Sequence, residues 1–186
     1  AAGSLSVTVQ STGKLTLDAP IVNNAGVDGV YGNGDDGAVK IVKAGTGELV
    51  LNAVNTHSGG TQLDCGTLTL GNDSALGTGT LTLNLGTLQT SGGDRTFTNA
   101  VTLGGNVTLA GANAFTFSGA ASLTGNRTLT VTADSTFSGV VSESGGARNL
   151  TKAGTGTPTL SGSGANTYTG TPPANTGPPP PRQSPR

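Results

Sequence analysis

The sequence predicts an all-β chain wound as a right-handed, single-stranded parallel β-helix of about 20 residues per coil. Three observations carry this. Phe97, Phe117 and Phe137 recur every 20 residues within RTFTN (95–99), FTFSG (115–119) and STFSG (135–139). Two more columns, Val101/Ala121/Val141 and Leu83/Leu103/Leu123, keep the same step, and GNVTL at 105–109 returns as GNRTL at 125–129. No stretch shows helical periodicity over ten residues; NDSALG (72–77) is the nearest. Stacked coils form ladders, expected here as Phe on Phe, Leu on Leu and Asn106 on Asn126. Leu, Val, Phe and Ala are expected to face inward, and Thr and Ser outward. Residues 1–170 then make roughly eight coils and a rod about 40 Å long. A β-sandwich also uses many short strands, but its antiparallel pairing requires no fixed step.

The elements follow in order. SLSVTV (4–9) and KLTL (14–17) alternate apolar with polar, as half-buried strands do, with a turn at Ser11–Gly13. Residues 23–38, rich in Gly, Asn and Asp, read as a long loop or a corner insertion. Strand pattern resumes at VKIV from Val39 and continues through GTLTL (66–70), GTLTL (79–83) and GTLQT (86–90). Leu68 and Leu88 fall on even numbers, Leu109 and Leu129 on odd. One extra residue must therefore sit in a turn, placed near Ser91–Gly93, because a shift inside a strand would turn its apolar face outward. Residues 1–171 are expected to form the β-helix and 172–186, with most of the prolines, a disordered tail.

Composition narrows the function. Only 10% of residues are charged and the formal net charge is −1, with no basic stripe, so a nucleic-acid partner is not expected. No apolar run reaches the ~18 residues of a spanning helix, so this segment is not expected to be membrane-embedded. Cys65 is the single cysteine and cannot form an internal disulfide. A chain that starts at Ala1 and contains no Met is expected to be a piece of something longer.

KAGTGELVL (43–51) recurs as KAGTGTPTL (152–160), and NTHSGGT (55–61) as NTYTGT (166–171). These strings, with NTHSGGTQLDCGTLTLGNDSALGTGTLTLNLGTL (55–88), resemble the passenger-associated strand repeat of bacterial autotransporters. The resemblance is close over 43–88 and clear in the second copy. His57 stands where that repeat usually has Tyr, Cys65 where it has a small residue, and Pro158 falls at a strand position, expected at an edge or in a weakened last coil. The resemblance implies a β-helical passenger at the bacterial cell surface or secreted, exported across the outer membrane.

No catalytic, cofactor-binding or metal residue is assigned, and no cofactor is expected. GNGDDG (32–37) matches GxGxxG but precedes a strand, not a helix, and a calcium-binding nonapeptide needs tandem copies. Cys65 and His57 lack an orienting third group, and His57 reads as a surface or corner ring. Asp94 and Asp134 share a column two coils apart, the one arrangement that fits a glycan-cleaving enzyme. Both lie in turn strings, and only Arg95 and Phe115 are at hand to hold a sugar. The N-x-[ST] strings at Asn72, Asn106, Asn126 and Asn149 fit chance in so Thr-rich a chain. The expected function is a non-enzymatic stalk segment that presents or spaces adhesive regions. Its alternatives are direct adhesion or self-association through Thr/Asn faces, and glycan cleavage. The expected partners are a surface glycan or protein receptor, and a second copy met through open β-helix ends.

Overall fold

A computed structural model describes residues 3–169 except 11, 27, 31–35, 163 and 165, with residues 3 and 4 given by backbone alone. The 172–186 tail and most of GNGDDG lie outside the described residues. The described chain contains no helix and eighteen strands, numbered β1 (Gly3–Thr8) to β18 (Pro158–Leu160). All strand pairs are parallel, which excludes the sandwich.

Two sheets of seven strands run the length of a solenoid of about 6 turns. The first comprises β1, β3 (Val39–Ala44), β5 (Thr61–Leu63), β7 (Leu81–Leu83), β10 (Val101–Leu103), β13 (Ala121–Leu123) and β16 (Val141–Glu143). The second comprises β2 (Lys14–Leu17), β4 (Glu48–Leu51), β6 (Thr67–Leu70), β8 (Gly86–Thr90), β11 (Val107–Ala110), β14 (Arg127–Val131) and β17 (Leu150–Ala153). A third, shorter sheet holds β9 (Arg95–Phe97), β12 (Phe115–Phe117), β15 (Ser135–Phe137) and β18. Coils therefore carry three strands only from β9 onward. Before that the third side is irregular chain at 18–24, 52–60 and 71–80, and NDSALG forms a turn there.

Six turns replace the expected eight because the first is long. Gly3 stacks on Val39, a step of 36 residues that contains the 23–38 loop, whereas Leu81 stacks on Val101 and Val101 on Ala121, steps of 20. At ~4.8 Å per step the described rod is about 29 Å long, not 40.

The core is one continuous apolar column. Phe97, Phe117 and Phe137 stack as the spacing requires, with ring centroids 5.8 and 4.9 Å apart. Leu49, Leu68, Leu88 and Leu109 form a second inward ladder.

From β3 to β16 the first sheet keeps a step of 20, and so does the third from β9 to β15, but the second does not: Leu88 stacks on Leu109 and Leu109 on Val131. Between the Leu83 and Gly86 rows lie two residues. The same corner holds three at Leu103–Val107 and five at Leu123–Leu129. The opposite flank shortens to match, from eight residues at Leu88–Phe97 to seven at Leu109–Phe117 and five at Val131–Phe137. The extra residue thus sits at Gly104–Asn106, not at Ser91–Gly93. The two further residues at 124–128 break the expected Asn ladder: Asn106 lies opposite Thr128, not Asn126, and its Oδ1 accepts the Thr128 N–H at 2.8 Å.

Candidate functional site

The corners are where polar side chains do structural work. Asp73, Asp94 and Asp134 each accept a backbone N–H from the following coil: Thr96 at 3.2 Å, Ala114 at 2.8 Å and Thr157 at 3.0 Å. Asn126 does the same for Asn149 at 3.0 Å, and Asn55 for Ile21 of the preceding coil at 2.8 Å. A bend lifts the backbone out of ladder pairing, and the Asx oxygen takes up the freed donor. Asp94 and Asp134 are therefore committed to coil-to-coil bonds. The two groups weighed as sugar contacts are engaged as well: Phe115 is fully buried, and the Arg95 guanidinium donates to the Ser91 carbonyl at 2.8 Å.

Lys43 is a buried residue that the inward pattern of Leu, Val, Phe and Ala does not anticipate. It occupies the core column between Val7 and Leu63, fully buried. Its ammonium donates to the carbonyls of Ala44 and Gly45 at 2.7 Å and of Cys65, one coil on, at 3.1 Å. Burial pushes its pKa down, opposed by the nearby Cys65 thiol. In the second copy Lys152 is also buried and donates to the Gly154 carbonyl at 2.5 Å. The signal was in the sequence: Lys opens the KAGTG string in both copies, and a residue held at the start of a turn that bends over it is placed to cap that turn. Glu143 is a second departure. It follows Leu123 in the same column, and its carboxylate accepts the Thr169 hydroxyl at 2.6 Å and the Arg148 N–H at 2.6 Å.

His57 is fully buried, not a surface ring. Its Nε2 lies 3.0 Å from Thr61 Oγ1, while Cys65, half-buried, gives its carbonyl to Lys43. Neither orients the other, and the thiol–imidazole pair does not form. Among the described residues no group of three or more His, Cys, Asp or Glu could hold a metal. Asp36 and Gly37, the described part of GNGDDG, adjoin an antiparallel bridge between Asn24 and Gly37.

Outward positions carry hydroxyl ladders, as the alternation requires. Thr96, Thr116, Thr136 and Thr159 align on the third sheet. Thr67, Thr87, Thr108 and Thr130 align on the second. Where the second face is charged, Glu48 accepts the Thr69 hydroxyl at 2.7 Å, which holds its carboxyl below the usual range, and pairs with Lys14 at 3.3 Å. Pro158 begins β18, the outermost strand of the third sheet, where a missing N–H interrupts no ladder among the described residues. Beside it lies a cavity of about 20 Å³ lined by Phe137, Leu150, Lys152, Pro158, Leu160 and Tyr168, room for about one water.

Comparison with known proteins agrees with this architecture. A family model described as passenger-associated-transport-repeat matches residues 41–70 and 150–171. The first match covers the Lys43 cap, His57 and β3–β6, and the second covers the Lys152 cap, Tyr168 and β17–β18. No curated protein and no solved structure matches the chain. Two passenger-associated-transport repeats set into one parallel β-solenoid fit a fragment of an autotransporter passenger β-repeat protein.

Proposed function

We propose that this chain is a stalk segment of an exported surface protein, a β-helical spacer that presents adhesive regions rather than cleaving or binding a substrate itself. The observation that carries the reading is the pair of seven-stranded sheets running unbroken from β1 to β17. Every ladder hydrogen bond lies nearly along the rod, so each coil is clamped to the next and the rod resists bending. The corner carboxylates are spent on that clamping, and the cavity beside Pro158 is too small for a sugar. Export to the cell surface is what an autotransporter passenger repeat implies.

Direct adhesion is the second reading, favoured by the aligned Thr columns on the second and third sheets. Beads coated with the chain alone, and beads carrying a carbohydrate-binding module fused to its N-terminus, distinguish the two. A spacer leaves the first set dispersed and unbound to cells. In the second, capture improves with the number of 20-residue coils inserted. Saturable cell or glycan binding by the chain alone would replace the spacer reading with adhesion.

A further inference from the structure

We propose that His57 makes the irregular flank of the first repeat an acid-operated latch, closed when the imidazole is neutral and released when it takes a second proton. The ring is fully buried and bonded through Nε2 to Thr61 Oγ1 at 3.0 Å. That hydroxyl gives its own proton to the Leu76 carbonyl at 3.1 Å, so it accepts from the ring and Nε2 carries the hydrogen. Nδ1 is then bare, buried and without a hydrogen-bond partner.

A second proton at Nδ1 meets no uncommitted acceptor. The ring edge lies against Gly77, where a Cβ would stand 2.7 Å from both Nδ1 and Cε1. The nearest acceptor, the Ile21 carbonyl, already takes the N–H of Thr56 at 3.0 Å and of His57 at 3.3 Å. The carboxylates on the elements packed around the ring are engaged elsewhere. Asp18 binds Asn52, Asp64 binds Gln62 and Asn84, and Asp73 binds Arg95 and the Thr96 N–H. Burial holds the imidazole below its ordinary pKa of 6.5, with the Ile21 carbonyl opposing the shift.

His57 is also the joint of that flank. Its N–H reaches Ile21 one coil back, and its carbonyl accepts Thr78 one coil on at 2.9 Å. Expelling the charged ring frees 52–60 from 18–24 and 71–80, and the two long sheets lose only the ring's bond to Thr61 at the start of β5. The second repeat supplies the control, because Tyr168, buried at the matching position, cannot gain a proton.

The sign is fixed by linkage. The opened flank binds a proton that the closed one refuses, so opening grows as pH falls below 6.5, by up to ~tenfold per pH unit until the folded pKa is reached. The test is hydrogen exchange on the tag-free chain at pH 7.5 and 5.0, corrected for intrinsic rates, with His57→Tyr beside it. The expected result is lost protection in 52–61 and 71–80 at pH 5.0 in the parent only, with 107–137 unchanged in both. Equal pH response in parent and variant overturns the proposal. If the variant does not fold, the single histidine still allows an unambiguous NMR titration of the parent. An imidazole pKa at or above 6.5, or an Nδ1–H tautomer at pH 7.5, also overturns it.

Discussion

Replacing Phe117 by Ala tests the stacked-coil account where it is most exposed to failure. The side chain is fully buried, with Phe97 at 5.8 Å on one side, Phe137 at 4.9 Å on the other and Phe115 at 5.9 Å within its own coil. Removing a buried Phe costs about 3–5 kcal/mol through lost transfer energy and the cavity left behind. Two features place Phe117 at the upper end of that range. Aromatic contacts contribute about 0.5–1.5 kcal/mol each beyond area. A ladder clamped by hydrogen bonds on both sides also cannot collapse into the hole. A loss of about 4 kcal/mol, with a urea slope near 2 kcal/mol/M, lowers the denaturation midpoint by about 2 M. Thr116→Ala, one residue away on the outward row, should stay within about 0.5 kcal/mol of the parent. Urea unfolding followed by far-UV circular dichroism reads both variants. If Phe117→Ala shifts the midpoint no further than Thr116→Ala, the Phe rings do not form the core column and the stacking argument fails.

Other consequences follow from the corners and the buried cation. Lys43→Met leaves the Gly45 and Cys65 carbonyls without the donor they now have, and should lower stability by about 2–4 kcal/mol in urea unfolding at pH 7. Because the folded chain holds the Lys43 proton less tightly than the unfolded one, stability should rise with pH from the lowered pKa up to 10.5. That rise should be missing from Lys43→Met in the same assay run between pH 8 and 10.5. Asp94→Asn keeps the oxygen that accepts the Ala114 N–H and should be near neutral, whereas Asp94→Ala should cost about 1 kcal/mol. A catalytic carboxylate would instead respond to Asn as strongly as to Ala. Gly45→Ala forces a side chain into a left-handed residue, φ 74°, and against the Val9 carbonyl; its melting temperature should fall by several degrees.

The sequence made the winding legible because a coil repeats its inward residues at one step, and Phe, Leu and Val columns survive wherever that step is kept. It was less informative where two corners change length in opposite senses. The columns through Val101 and Phe117 look perfect, and the drift of the second sheet shows only as the parity change between Leu88 and Leu109. Parity reveals that a residue was added but not which of two turns received it, so Gly104–Asn106 and Ser91–Gly93 were equivalent on paper. The Lys43 cap is hidden in the sequence for a different reason. Charge is read as outward, yet a turn whose carbonyls converge one coil apart offers an ammonium more acceptors than its lost water would suggest. For His57 the residue type, a polar ring, points outward, whereas its place matching Tyr168 in the repeat points inward.

The trade between the corners has an evolutionary corollary. Between β9 and β15 the coil keeps its perimeter, not the length of any one bend, so a residue gained at Gly104–Asn106 is tolerated because the far flank surrenders one before Phe117, whereas the last coil lengthens to 23. Isolated insertions should therefore be rare between β9 and β15, matched pairs common there, and unmatched gains confined to the last coil. Whole-coil duplications should be easiest of all, since unequal recombination between near-identical strings such as those starting at Lys43 and Lys152 lengthens the rod without disturbing any neighbour.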